Sequence, residues 1–303
     1  MARPTMKIRF AVTPPAAALA GDAFADYLAH CEHLGFDTLW LSDIPLGPGG
    51  DPLVSLACAA GCTRRLKLGA NLVPLGRNPW WLAKQLAQLD QLSGGRLLLS
   101  FVPGLGSPPE RAALGYTRGD RGRAIETVMD LCRRWWAGEA VTAEFEGARF
   151  DGVTLDLRPR QAPLEVWLGG KGPLALARVA RAGDGWLTAA VTPAEAAAGR
   201  RSIEQQAVAC GRAVDPEHFG ISIPVSRDTP PPAALAALKA RRDDGDLSQV
   251  VATGREALRA LVRAHLDGGL SKFVLRPLNA LERRADWRTD LEWMADSVLD
   301  LQR

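Results

Sequence analysis

A chain of 303 residues is too long for one small module, but it suits a single (β/α)8 barrel, which runs to roughly 250 residues or more. Hydrophobic residues at 47% and charged residues at 23% supply a sizeable core and exclude a disordered polymer. The net charge of +3 comes from 37 basic and 34 acidic residues scattered without a block of like sign, which speaks against a nucleic-acid partner.

In chain order, the opening segment carries basic and then small apolar residues, as an export signal does. Pro14 and Pro15 interrupt that run, so Lys7–Val12 reads as a first buried strand. No stretch approaches the roughly 20 apolar residues of a membrane helix. A helix from Asp22 to Leu34 follows, with Asp22 capping its first N–H groups and Gly35 ending it in the left-handed conformation. FDTLWLSD then predicts a second strand, Pro52 to Cys62 a helix, and RLKLGANL a third strand. A helix from Pro79 to Leu92 begins with proline where no hydrogen-bond partner is needed. RLLLSFV, continuously apolar, predicts a fourth strand buried on both faces.

After a helix over about Asp120 to Trp136 the rhythm breaks. Glu139 to Pro163 alternates in the manner of an inserted hairpin. LEVWLGG, GWLTAA, FGISIPV and KFVLRP complete eight candidate strands, with helices over Pro173–Ala182, Pro193–Arg212 and Glu256–Asp267 between them. A proline run at 230–232 and a charged tract at 239–246 lie in a long connection after the seventh strand. The alternation implies parallel βαβ units over residues 1–303 as one domain, a closed barrel being simpler than an open doubly wound sheet. Five cysteines without a CxxC pair suit a reducing cytoplasm better than a disulfide framework.

In a barrel the chemistry belongs at the carboxyl ends of the strands. That rim holds Asp43, Asn71 to Pro74, Pro103 to Glu110, Gly169 to Gly172, Thr188 to Thr192 and Arg276. LGGKGP at 168–173 runs from a strand into a helix, so it reads either as an anion cradle with Lys171 adding charge or as a tight turn. Asp43 ends an apolar strand, where a carboxylate bonds a reacting group or caps a helix. Asn71 is a poor strand former, which suggests a bulge, a close approach to a ligand or a distorted strand end. His30 and His33 lack carboxylates arranged for zinc, and no metal site is expected. The Trp80–Trp81 and Trp135–Trp136 pairs read as packing. No GxSxG elbow or P-loop is present.

Residues 65–104 carry Arg77-Asn78-Pro79, Leu89-Asp90 and Ser93-Gly94-Gly95-Arg96. With GFDTLWLSD before them, Glu110 and Gly115 after, and VWLGGKGP followed by RAGDGW, most of the chain resembles the luciferase-like flavin and deazaflavin superfamily. The resemblance implies a coenzyme across the carboxyl-end rim and a non-prolyl cis bulge at Asn71-Leu72 behind its ring. Gly169, Gly170, Lys171, Gly172 and Thr188 would hold the phosphate side, and Arg123 matches a phosphate-binding arginine of the light-emitting branch. Ile44 stands where that branch has a catalytic histidine, and Pro103 replaces an arginine. The pattern is more similar to the subgroup dependent on coenzyme F420, which implies hydride transfer to or from a small organic substrate, with Asp43 and Glu110 as candidate catalytic groups. FMN-dependent oxygenation with a separate reductase, or a non-catalytic coenzyme-binding barrel, are the alternatives. A homodimer formed through the barrel helices is a further implication of the resemblance.

Overall fold

Eight parallel strands close on themselves in the computed structural model, which describes residues 6–19, 21–116, 119–242, 244–278 and 287–303. Strand β1 (Arg9–Val12) leads through a 3-10 turn to α1 (Asp22–Leu34). Then come β2 (Thr38–Ser42), α2 (Pro52–Cys62), β3 (Lys67–Leu72), α3 (Pro79–Ser93) and β4 (Leu97–Phe101). Two helices follow, the short α4 (Pro108–Ala113) and α5 (Arg121–Ala137), before an antiparallel hairpin of β5 (Val141–Phe145) and β6 (Ala148–Val153). The alternation resumes with β7 (Val166–Gly169), α6 (Pro173–Ala182), β8 (Gly185–Ala189) and α7 (Pro193–Ala209). The last stretch holds β9 (Phe219–Ser226), α8 (Pro232–Lys239), the two-residue β10 (Ala252–Thr253), α9 (Arg255–Asp267), β11 (Lys272–Pro277) and α10 (Trp287–Val298). Around the barrel the order is β1, β2, β3, β4, β7, β8, β9, β11, and β11 pairs with β1 to close it. That closure rules out the open sheet.

Three helices escape the sequence reading. α4 and α8 are short and proline-led inside segments rich in breakers, and α10 lies beyond the last strand-like run. One cap also differs. Gly21 occupies the cap of α1 with no side-chain bond, and Asp22 sits in the first turn, where its charge favours the positive helix end. Gly35 adopts the expected left-handed conformation, with φ of 92°.

Two cores hold the barrel. Outward-facing strand residues pack against the helices, while Ala11, Trp40, Trp167, Leu187 and Val274 fill the interior. Tryptophan fits inside an eight-stranded barrel only if a neighbour yields space. A Cβ on Gly69 would lie 2.2 Å from the Trp40 ring, and one on Gly185 would lie 2.5 Å from that of Trp167. The hairpin covers the outer layer by edge-on packing of Phe150 on Trp135, whose indole donates to the Val153 carbonyl at 2.9 Å. Trp80 likewise donates to the Thr154 carbonyl at 3.1 Å, and Trp136 to that of Ala83 at 2.9 Å.

At the amino end of the barrel, buried Lys272 donates to Asp37 at 3.0 Å and to Thr38 at 2.9 Å. Asp37 also faces Arg9 and Lys67, each at 3.4 Å. Burial pushes the Lys272 ammonium down to about 8, whereas its cationic neighbours, Lys272 first, hold the Asp37 carboxyl below its usual range against the opposing effect of burial.

Candidate functional site

Most of the signature stretch is scaffolding. Asp90 is fully buried and accepts from the backbone and side chain of Gln161 at 2.8 and 2.7 Å. Arg96 donates to the carbonyls of Ala60, Thr63, Leu66 and Ser93. Asn78 caps α3 by accepting from the N–H groups of Trp80 and Trp81. These bonds tie α2, α3 and the post-hairpin segment to one another and so fix the strand ends.

Asp43 is tied into the same frame. Its Oδ2 accepts from the Val73 N–H at 3.1 Å and from Arg77 at 3.0 Å, while Arg77 also reaches Asp51 at 2.9 Å. Burial raises the Asp43 carboxyl above its ordinary range despite the opposing Arg77 charge. It borders a cavity of about 250 Å³ with Ile44, Gly49 and Gly50. Glu110, 2% exposed, accepts from the Gly106 N–H at 2.8 Å and fills the inside of the turn after β4. Its carboxylate shapes that turn and lines none of the rim cavities described here.

The expected bulge at Asn71-Leu72 is absent. β3 pairs with β2 and β4 without a break in register, and among the described residues the cis bond is Ala162–Pro163. Asn71 instead belongs to a row. Ser42, Asn71 and Ser100 are register partners on β2, β3 and β4. Each stands two residues beyond an interior position, namely Trp40, Gly69 and Leu98, so all three face inward at the carboxyl end. The Asn71 amide donates to the Ser42 hydroxyl at 3.4 Å, and the buried Ser100 hydroxyl has no partner among the described residues.

Two further cavities lie at the carboxyl-end rim. The first, about 270 Å³, lies where β11, β1 and β2 end, with Ser42 at its edge and Thr13, Ile44, Leu238 and Arg276 in its wall. The second, about 490 Å³, lies beyond β4 and β7 and is bordered by Pro103, Arg121, Gly172, Pro173 and Arg178. Two helix ends meet there. α5 is capped by Asp120, which accepts from the N–H groups of Gly122 and Arg123. α6 starts at Gly172 without a side-chain cap, so its positive end remains available to an anion.

The glycine turn is built for close approach. Gly170 has φ of 109°, and a Cβ there would lie 2.7 Å from that of Ala175. Its carbonyl accepts from the Trp186 indole at 2.8 Å. Thr188 shares the strand face of Trp186, buried at 1% exposure, and its hydroxyl lacks a partner among the described residues. Gly169 faces inward, where a Cβ would meet Val102 at 2.9 Å. Lys171 turns away from the cavity to donate to the Arg241 carbonyl at 2.8 Å.

Arg123 is exposed and stays outside the second cavity. Its place is taken by Arg121, which donates to the Pro103 carbonyl at 3.0 Å, and by Arg178. Residues two apart on a helix differ by about 200° in direction, so Arg121 and Arg123 cannot share a face. Guanidinium groups from α5 and α6 therefore stand with Pro103 around this cavity, that of Arg178 also ion-paired with Glu126 at 3.4 Å. The signal for Arg121 was its position directly after the capping Asp120, while Arg178, five residues into α6, had none.

Comparison with known proteins agrees with this architecture. A 5,10-methylenetetrahydromethanopterin reductase of Archaeoglobus fulgidus is 23% identical over 279 residues, covering 91% of this chain and 79% of the relative. An F420-dependent glucose-6-phosphate dehydrogenase of Kineococcus radiotolerans is 30% identical over 174 residues, or 54% of this chain, and the match spans about half (51%) of that relative's length. The structure of an F420-dependent secondary alcohol dehydrogenase in complex with an F420-acetone adduct superposes with a TM-score of 0.80 at 17% identity, over 98% of this chain and 100% of that one, a likeness of fold. The family model described as luciferase-like monooxygenase matches residues 6–300, and the chain belongs to that family.

Proposed function

We propose that the chain is an oxidoreductase that moves a hydride between coenzyme F420 and a small organic substrate. The observation that carries this reading is the second rim cavity, where Arg121 and Arg178 meet the uncapped start of α6. The residues present fit such a coenzyme. Arg121, Arg178 and the uncapped start of α6 would hold a phosphate, and the unpartnered hydroxyls of Thr188 and Ser100 offer bonds that the protein leaves unmade.

When bound, the coenzyme supplies the redox chemistry at its ring, and the protein contributes orientation and electrostatics. Asn71 and Ser42 would orient the polar edge of the ring. Asp43, with its carboxyl raised by burial, is the group here that can hold a proton, although Arg77 must share it. Glu110 acts by positioning the turn after β4. Apolar walls around the first cavity keep water from the substrate.

Titration of the purified protein with F420, reduced F420 and FMN, followed by fluorescence, tests the reading. The expected result is saturable F420 binding, weaker FMN binding, and a loss of at least tenfold in Arg178→Gln. Binding of FMN with none of F420 would overturn it in favour of an oxygenase that receives reduced flavin from a separate reductase, a reading the description of the matched family favours. Coenzyme binding without turnover across a broad substrate panel would favour a carrier.

A further inference from the structure

The first cavity is apolar over most of its wall, with Pro14, Leu41, Ile44, Ala237, Leu238 and Leu278 among its side chains. Two arginines interrupt that surface. Arg276 is the last inward-facing residue of β11, two beyond the interior Val274, and Arg241 reaches in from the segment after α8. No aspartate or glutamate lines the cavity among the described residues.

Among the described residues neither guanidinium has a hydrogen bond or ion pair. Other cations at the barrel ends and beside the rim do: Lys272 has Asp37, Arg77 has Asp43 and Asp51, and Arg242 has Glu195 and Asp244 at 2.9 and 2.6 Å. Arg276 is half-buried and Arg241 exposed, and Arg276 carries no hydrogen bond or ion pair among the described residues. Burial first, and Arg241 second, push it down to about 10, which leaves it charged at neutral pH. A protein normally pairs such a charge or keeps it in water. Arg241 is also held in place from behind. Lys171 clasps its carbonyl, and its neighbour Arg242 is anchored to Glu195 at the start of α7.

From this geometry we infer that the first cavity takes a substrate with an apolar body and one anionic group, a carboxylate or phosphate ester, held by Arg276 and assisted by Arg241. The inference deepens the proposed function and rests on its reading of this cavity as the substrate side of the site. Arginine suits the role because its planar fork presents paired donors to an oxyanion and stays charged across the physiological range. A neutral molecule of the same shape would leave Arg276 as bare as it is now. The anion could also belong to the coenzyme, and the experiment separates the two sources.

Isothermal titration of the coenzyme-free protein with octanoate, octyl phosphate and octan-1-ol reads the site without turnover. At least one of the two anions is expected to bind tenfold or more tightly than the alcohol. Arg276→Met should remove that preference, and Arg241→Gln should reduce it about threefold, both variants melting cooperatively. Repeating the titration with F420 present should leave anion binding unchanged, and Arg276→Met should alter F420 affinity by less than twofold. Equal binding of anion and alcohol, no binding of any probe, or an undiminished preference in Arg276→Met would overturn the inference. So would competition between F420 and the anion together with a tenfold loss of F420 affinity in Arg276→Met, which would give the arginine to the coenzyme. If neither F420 nor FMN binds while the anion preference stands, the coenzyme reading fails and the anion site survives.

Discussion

The two ends of strand β11 carry inward-facing cations four residues apart, and the protein treats them in opposite ways. At the amino end Lys272 meets Asp37, Thr38 and a tight charge cluster; at the carboxyl end Arg276 meets apolar walls and another arginine. The closed end spends its polar groups on itself, as a stability element does. The open end pairs Asp43, Arg77 and Arg242 but leaves Arg276 and the hydroxyls of Ser100 and Thr188 without partners among the described residues. An unpaired cation beside a cavity at the carboxyl ends of the strands marks a side on which a ligand can complete the structure.

Breaking the closed end should have the largest effect. Asp37→Asn leaves Lys272 buried without a counter-charge and is expected to lower unfolding free energy by about 3 to 5 kcal/mol, read by chemical denaturation. A loss below about 1 kcal/mol would mean that the pair contributes no more than a surface bridge.

A third buried base, His265 on α9, shows what a group does when it can shed its charge. It is 1% exposed with an unpartnered Nδ1, and burial pushes it down to about 4. The unfolded chain therefore binds more protons than the fold between about pH 6.5 and 4, so the stabilisation present above 6.5 is lost as pH falls through that window. The gap corresponds to about 3 kcal/mol at most. Stability measured from pH 7 to 4 should show this acid limb, and His265→Leu should flatten it.

At the open end the sign reverses. Arg276→Met removes an unpaired, half-buried charge and should raise the stability of the ligand-free protein by about 1 kcal/mol, seen as a higher melting temperature. A decrease would show that the arginine supports the fold. Thr188→Val is the smallest change, expected to stay within about 0.5 kcal/mol of wild type because a buried hydroxyl without a partner contributes little. Coenzyme titration should nonetheless show weaker binding in this variant, by roughly fivefold for one lost hydrogen bond.

Eight strands and the hairpin were legible because each is a short apolar or alternating run between breakers, as in VWLGG and GWLTAA. Helix α10 was not legible, because a βα rhythm read from strands stops where the strands stop. The site was legible by region more than by residue. Gly170 announced its turn through composition, whereas Asn71 looked like a distortion and proved to be a regular strand residue in a polar row. Asp43 was visible as a lone carboxylate, but its bonds to Arg77 and Val73 depend on a loop thirty residues away in sequence, roughly the length of one βα unit. Arg123 was assigned on sequence register, and the helical angle between it and Arg121 decides which of the two can meet a ligand.

The interlock of Trp40 with Gly69 and of Trp167 with Gly185 constrains how this protein can diversify. No one of those four positions can change in size without its counterpart, so the platform beneath the rim resists stepwise remodelling. Variation that retunes ligand choice has an easier route through Ala234, Ala237 and Leu238, which sit on a separate short helix and reach the cavity from above. For a designer, the barrel interior is the part to inherit intact, and the segment after β9 is the part to rewrite.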